Sequence, residues 1–155
     1  MNARTAEPLL WMAALAILSA LIAREAFARA DLERAVPVTP KELYAVIGGS
    51  QVKLQLVDVR AELDEYDDTH VPGSIPFPGC DAAKAPPGAA ERVLPSVPTI
   101  IISSDGERAA FDACAQRFTA ARNLAGGMTA WSDANLPEDS GEYVPPKAAA
   151  GGGCL

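Results

Sequence analysis

The pattern of apolar and polar positions predicts a central region in which buried strands alternate with helices. Leu54 to Val59 is mostly apolar and predicts one strand, which ends on a charged pair, Asp58 and Arg60. Thr99 to Ile102 is β-branched throughout and predicts another. Apolar runs without alternation are typical of parallel strands covered on both faces. A last short strand is predicted at 123–124.

The segments between these strands have helical patterns. Thr39 can cap a helix, Pro40 suits its first turn, and Glu42 can reach back to the capping amide. Further helices are predicted at 61–66 and 109–121, a helical turn or two at 89–94, and a short helix opening near 126–131, whereas 67–78 is predicted as a loop. The alternation predicts an α/β fold with a central parallel sheet and helices on both faces. Sites in such sheets form at the carboxyl ends of strands, where Asp58 and Ser103 lie.

The N-terminal segment has the features of a targeting or membrane-anchoring sequence. Pro8 to Ala23 contains no charged residue. It is shorter than the roughly 20 residues that span a bilayer and slightly longer than a signal-peptide core of about 7–15 residues. Ala26 to Ala28 places small residues at the two positions that a signal peptidase reads. We therefore predict that 1–28 is a signal peptide or a single membrane anchor forming an apolar N-terminal helix, and that the protein is membrane-anchored or exported to the periplasm. A buried core helix is the less favoured interpretation.

Length and composition limit the remaining possibilities. The 155 residues have room for one domain, predicted at 38–144 between a linker at 29–37 and a Pro/Ala/Gly-rich, disordered tail at 145–155. The net charge is −7 and the chain has no Lys/Arg-rich run, so a nucleic-acid partner is not expected.

The chain has three cysteines, Cys80, Cys114 and Cys154, and one histidine, His70. Their spacing fits no zinc pattern, and we expect neither a metal nor a cofactor. A bridge such as Cys80 to Cys154 is an open alternative in an oxidising compartment. Cys114 shares an apolar helical face with Phe111 and Phe118 and is predicted to be a buried small hydrophobe.

Four segments, in order and spacing, resemble the rhodanese-like domain family. They are LVDVR (Leu56 to Arg60), EYDDTHVPGSIPFP (Glu65 to Pro78), TIIISSDGERAA (Thr99 to Ala110) and LAGGMTAW (Leu124 to Trp131). The resemblance covers about Val38 to Pro137 and implies the rhodanese-like fold. It also implies the family activity, thiosulfate sulfurtransfer, in members that keep the catalytic residues.

In active members, the turn after the central strand reads cysteine, two variable residues, glycine, one variable residue and arginine. Backbone amides at a helix N-terminus surround the thiolate, lower its pKa and support a persulfide. The corresponding turn here runs Ser103, Ser104, Asp105, Gly106, Glu107, Arg108. The glycine and the arginine match this pattern, and Ser103 stands at the position of the cysteine.

Two features of this turn oppose sulfur transfer. A serine hydroxyl is scarcely ionised at neutral pH, and the turn holds no histidine to activate it. Asp105 and Glu107 would repel an anionic sulfur donor. We therefore predict a non-enzymatic binding or regulatory domain, whose partners are the membrane, through the N-terminal segment, and a protein. The alternatives are a sulfurtransferase that uses Cys80 and a structural subunit of a membrane assembly.

Supporting roles follow for the residues around the turn. The turn itself is interpreted either as a strand-to-helix connection, which we favour, or as a retained anion pocket. Arg108 is predicted to pair with a buried acid, either Asp58 or Glu65. Asp58 is predicted to bond backbone amides at the strand end, and His70 to hydrogen-bond its own loop.

Overall fold

The computed structural model describes residues 11–12, 14–22, 36–49 and 53–146. The chain divides into two units, Met1–Val36 and Pro37–Leu155. Residues 11–12 and 14–22 are helical, with exposed side chains. Within the described ranges, no helix has the length and apolar character needed to cross a membrane. Most of the predicted signal or anchor segment, nearly all of the linker and most of the tail lie outside the described residues.

Helix α1, Pro40–Gly48, begins with the capping arrangement that its sequence indicates. The Thr39 hydroxyl accepts a hydrogen bond from the Glu42 amide at 3.3 Å, and the Glu42 carboxylate accepts one from the Thr39 amide at 2.9 Å. These bonds satisfy two amides at the start of the helix that have no partner within it.

Within the described part of the chain, four strands form one parallel sheet in the order β2-β1-β3-β4. The strands are β1 (Gln55–Asp58), β2 (Ile75–Pro76), β3 (Thr99–Ile102) and β4 (Ala121–Asn123). Asp58 pairs in register with Ile102, so β1 and β3 end side by side. This register brings Asp58 and Ser103 to the same edge of the sheet.

Three further helices connect or follow the strands: α2 (Leu63–Asp68), α3 (Arg108–Ala115) and α4 (Gly127–Asp133). Short 3-10 turns occupy Pro78–Cys80 and Ala90–Arg92. Helix α3 ends six residues before the predicted end at 121, because tight turn bonds follow it, such as Arg117 N–H to the Cys114 carbonyl, and the chain then enters β4. The predicted loop at 67–78 contains the end of α2 and all of β2.

Alternating residues of the strands divide the core into two clusters on opposite faces of the sheet. Leu56, Ile100 and Ile102 pack with residues from α1 and α4. Val57 and Ile101 pack with Phe111 and other residues of α3. Helices therefore cover both faces, which confirms the predicted α/β architecture.

Candidate functional site: the loop after β3

The loop of residues 103–107, called here the Ser103 loop, joins β3 to α3. Ser103 is buried, and its hydroxyl oxygen accepts a hydrogen bond from the Gly106 amide at 3.0 Å. The Asp105 carboxylate accepts one from the Glu107 amide at 3.0 Å. Side chains of the loop thus satisfy two of its own backbone amides.

Glycines allow the start of α4 to pack directly against this loop. Gly106 and Gly127 have φ angles of +77° and +56°, which favour glycine. A Cβ atom at Gly127 would overlap the Ser103 carbonyl oxygen and would lie 2.5 Å from the Gly106 nitrogen. The Met128 amide donates to the Ser103 carbonyl at 2.8 Å, so the start of α4 fixes the backbone of the loop.

Two side chains from other elements also hold the loop. Asn123, at the end of β4, donates from its side-chain amide to the Gly106 carbonyl at 2.7 Å. The Ser104 hydroxyl donates to the Glu65 carboxylate on α2 at 3.3 Å. Asn123 is not among the candidate residues that the motifs indicate. A polar residue at the carboxyl end of a short strand is nevertheless a signal for such a position.

Asp58 and Arg60 form a buried ion pair beside the loop. Their side chains are 1% and 6% exposed, and Arg60 Nη2 lies 2.7 Å from Asp58 Oδ2. Asp58 also accepts a hydrogen bond from the Arg60 backbone amide, as predicted for a carboxylate at a strand end. Arg60 donates in addition to the Thr69 carbonyl at 2.7 Å. The pair therefore ties the end of β1 to the segment after α2.

The prediction that Arg108 pairs with Asp58 or Glu65 is wrong. Arg108 pairs with Asp112, one helical turn further along α3, at 2.7 Å, and the two side chains are 68% and 54% exposed. The guanidinium also lies over the Phe111 ring, 5.5 Å from its centroid. Asp58 already has Arg60 as its partner, and Asp112 lies at the i+4 spacing that favours a local pair.

His70 is buried, holds its own loop and does not line the cavity beside the Ser103 loop. Its Nδ1 donates to the Tyr66 carbonyl at 2.8 Å, and its ring stacks on the Tyr66 ring with centroids 3.9 Å apart. Its backbone exchanges hydrogen bonds with Asp139. The cavity beside the Ser103 loop, of about 250 Å³, is instead lined by Arg60, Glu65 and Ser104, among others.

The two cysteines of the described region form a disulfide. Cys80 lies in the turn after β2 and Cys114 lies on α3, with Cα atoms 5.4 Å apart, a separation typical of disulfides. Both residues are buried in the cluster on the α3 face of the sheet. The partner of Cys80 is therefore Cys114 and not Cys154, which lies outside the described residues. Cys114 is buried as predicted, but as half of a disulfide.

Among the described residues, no cluster of three or more histidine, cysteine, aspartate or glutamate side chains has an arrangement that could hold a metal ion.

Residues 39–134 match the rhodanese-like domain family. Because the match covers more than half of the chain, the protein belongs to this family. No curated protein matches the chain in sequence.

Solved structures share the fold at low sequence identity. A Bacillus halodurans protein is 20% identical with a TM-score of 0.58, over 76% of this chain and 85% of its own. The rhodanese-like domain of an Anabaena protein is 19% identical with a TM-score of 0.56, over 77% and 88%. A thiosulfate sulfurtransferase from Pseudomonas aeruginosa is 21% identical with a TM-score of 0.55, over 68% of this chain and 19% of the enzyme.

Proposed function

We propose that this protein is a rhodanese-like domain without sulfurtransferase activity that serves as a binding or regulatory module at the membrane or in the periplasm. The proposal rests on the lack of a free thiol in the described residues. In the described part of the chain, a serine occupies the first position of the family loop, and both cysteines, Cys80 and Cys114, are joined to each other. This region therefore offers no thiolate that could accept a sulfane sulfur.

The surroundings of Ser103 give its hydroxyl no means of acting as a nucleophile. The oxygen is buried and accepts a hydrogen bond from Gly106. A serine nucleophile needs an adjacent base. The His70 ring is engaged instead with Tyr66, through a hydrogen bond and a ring stack. Hydrolase-type chemistry at Ser103 is therefore disfavoured together with sulfur transfer.

The loop geometry supports a strand-to-helix connection over a retained anion pocket. An anion site needs amides that point at the ligand. The Gly106 and Glu107 amides donate instead to the side chains of Ser103 and Asp105. The carboxylates of Asp105, Glu107 and Glu65 belong to the same region and would repel an anionic sulfur donor. We therefore expect the module to act through contact with a protein partner.

The disulfide supports the proposed location outside the cytoplasm. Disulfides persist in secreted and periplasmic proteins and are rare where cytosolic thiols keep cysteines reduced. An exported chain, or one anchored through 1–28, would carry this domain into an oxidising compartment. The apolar N-terminal sequence and the Cys80–Cys114 pair are independent features that favour the same address.

Two alternative functions predict properties that differ from those of a binding or regulatory module. A sulfurtransferase using Cys80 would need a free thiol, whereas Cys80 is buried and bonded to Cys114. A structural subunit of a membrane assembly would use the fold only as a scaffold and would co-purify with fixed stoichiometry in detergent. A binding or regulatory module would instead be recovered apart from such an assembly.

Thiosulfate-to-cyanide sulfur transfer by the full chain tests the proposal. We expect the wild type to stay at the level of the blank and to form no persulfide detectable by mass spectrometry. A persulfide on the wild type that disappears in Cys80→Ser would overturn the proposal, because the domain would then carry sulfur on that cysteine.

A gain-of-thiol variant supplies the matched comparison. In a Cys154→Ser background, Ser103→Cys adds one thiol at the position of the family cysteine. That thiol should react with iodoacetamide at pH 7, because the Gly106 amide and the N-terminus of α3 stabilise a thiolate there. If thiosulfate-to-cyanide sulfur transfer by this variant remains low, adding Asp105→Asn and Glu107→Gln should raise the rate. The gain should be larger at low ionic strength, where the repulsion between these carboxylates and the anionic donor is less screened.

A further inference from the structure

A second cavity, of about 390 Å³, lies between β2 and the C-terminal segment at 139–146. Its lining includes Tyr66, Ser74, Arg92, Asp139, Glu142 and Tyr143. It is a different cavity from the one at the Ser103 loop, because the two share no lining residue. Its volume falls within the range of small-molecule sites.

Two hydroxyl groups of this lining lack hydrogen-bond partners. Ser74 is 3% exposed, and its hydroxyl oxygen is buried without a partner in the described structure. The Tyr143 hydroxyl is likewise buried and unpartnered. The Ser74 carbonyl, in contrast, accepts a hydrogen bond from the Tyr66 hydroxyl at 2.8 Å. Leaving a buried polar group unsatisfied is costly, so such groups point to a water, an ion or a ligand that completes their hydrogen bonds.

The cavity lining combines one cationic group, Arg92, with hydroxyl donors, and this combination suits one negatively charged acceptor placed beside Arg92. Burial raises the pKa of Tyr143, although the nearby Arg92 guanidinium lowers it in part, so the phenol is protonated at neutral pH and can donate. Arg92 donates to the Pro146 carbonyl at 3.3 Å. Neither ion pair of the described residues includes Arg92, although Asp139 and Glu142 line the same cavity.

We propose that this cavity binds a small monocarboxylate, with Arg92 as its counterion and the hydroxyls of Ser74 and Tyr143 as hydrogen-bond donors. Guanidinium is the side-chain group best matched to a carboxylate, and hydrogen bonds with one ionised partner are the stronger class. Asp139 and Glu142 oppose any anion in the same cavity, so the site accommodates one negative charge next to Arg92 and excludes ligands with a second. The cavity thus supplies a ligand site that does not depend on chemistry at Ser103.

Acetate and acetamide are matched probes for this site, because they share size and shape and differ in charge. The full chain, labelled with ¹⁵N, is titrated with sodium acetate against sodium chloride at constant ionic strength. We expect saturable shifts of the Ser74, Gly141 and Tyr143 amide signals with acetate and none with chloride. Acetamide should bind at least tenfold more weakly.

Variants separate a specific site from general charge attraction. Arg92→Gln and Tyr143→Phe should each weaken acetate binding about tenfold or more, as expected when a hydrogen bond to an ionised group is lost. Lys84→Gln removes the same charge from an exposed position outside the cavity lining and should leave binding unchanged. Equal effects of acetate and chloride, equal affinity for acetamide, or equal weakening by Arg92→Gln and Lys84→Gln would each overturn the proposal.

Discussion

Asp58 is a buried carboxylate at the end of β1, and the stability of that strand end depends on its partner Arg60. Removing one member of a buried ion pair leaves an unpaired buried charge and costs about 3–5 kcal/mol. We expect Arg60→Ala to lower the free energy of unfolding by that amount in urea denaturation. Arg108→Ala, which removes an exposed pair with Asp112, should cost at most about 1 kcal/mol. Similar losses in the two variants would contradict this assignment.

Single residues show where reasoning from sequence succeeds and where it stops. The positions of Asp58 and Ser103 at one edge of the sheet follow from the ends of two apolar runs, because parallel strands place their carboxyl ends together. The partner of Arg108 could not be found in this way. The family loop pattern suggests a buried acid as the partner. Arg108 is instead the first residue of α3, and Asp112, four residues further along that helix, is close enough to pair with it.

At the scale of elements, the start of α1 gives a pH-dependent prediction. The Thr39 amide, and then its hydroxyl, hydrogen-bond the Glu42 carboxylate and lower the pKa of Glu42 from its ordinary value near 4.5. A carboxylate whose pKa is lower in the folded state than in the unfolded state stabilises the fold at pH values above its unfolded-state pKa. That contribution is lost as the pH falls through the folded-state pKa. The unfolding midpoint of Glu42→Gln should therefore lie below that of the wild type at pH 7, and the gap should narrow as the pH falls below the ordinary glutamate value of 4.5.

A matched carboxylate is available at α2. Glu62 is the N-cap residue of that helix, but its side chain forms no capping hydrogen bond. Glu62→Gln should therefore change the unfolding midpoint less than Glu42→Gln does at pH 7. A gap between wild type and Glu42→Gln that stays constant from pH 7 to pH 3 would refute the role assigned to this cap.

The elements that sequence analysis missed are those defined by pairing rather than by pattern. β2 has two residues, one of them a proline, and becomes a strand only through its alignment with Val57 and Asp58. The Cys80–Cys114 bond depends on the packing of α3 over the turn after β2, which spacing along the chain does not reveal. By contrast, local signals alone, an apolar run and a capping box, predict β3 and α1.

The disulfide should stabilise the domain by joining α3 to the turn after β2. It closes a loop between residues 34 positions apart, and bridges of this kind typically contribute about 2–4 kcal/mol. We expect the double variant Cys80→Ser, Cys114→Ser to unfold at lower urea concentration than the wild type. Reduction of the wild type should reproduce that shift, and Cys154→Ser should leave the midpoint unchanged. Recovery of both Cys80 and Cys114 as free thiols from unreduced native protein would show that the bond does not form.

At the scale of the whole molecule, family membership fixes the fold but leaves the function to the site. The Pseudomonas aeruginosa sulfurtransferase and this chain share an architecture at 21% identity, yet activity depends on particular groups within that architecture. The segment motifs were sufficient to indicate the family and the loop. They could not indicate the second cavity, because Ser74, Arg92 and Tyr143 come from three separate segments and meet only in the folded domain.

The last prediction concerns the place of the molecule in the cell. Pro8 to Ala23 carries no charge, and Ala26 to Ala28 fits signal-peptidase cleavage, so we expect the native chain in the membrane or exported fraction. N-terminal sequencing separates the two routes. A mature start at Arg29 identifies a cleaved signal, and an intact N-terminus that resists carbonate extraction identifies an anchor. Alkylation of thiols at cell harvest should leave Cys80 and Cys114 unmodified, because an oxidising compartment keeps them bonded. Full-length chain recovered as freely soluble cytoplasmic protein, with both cysteines alkylated, would refute the proposed address.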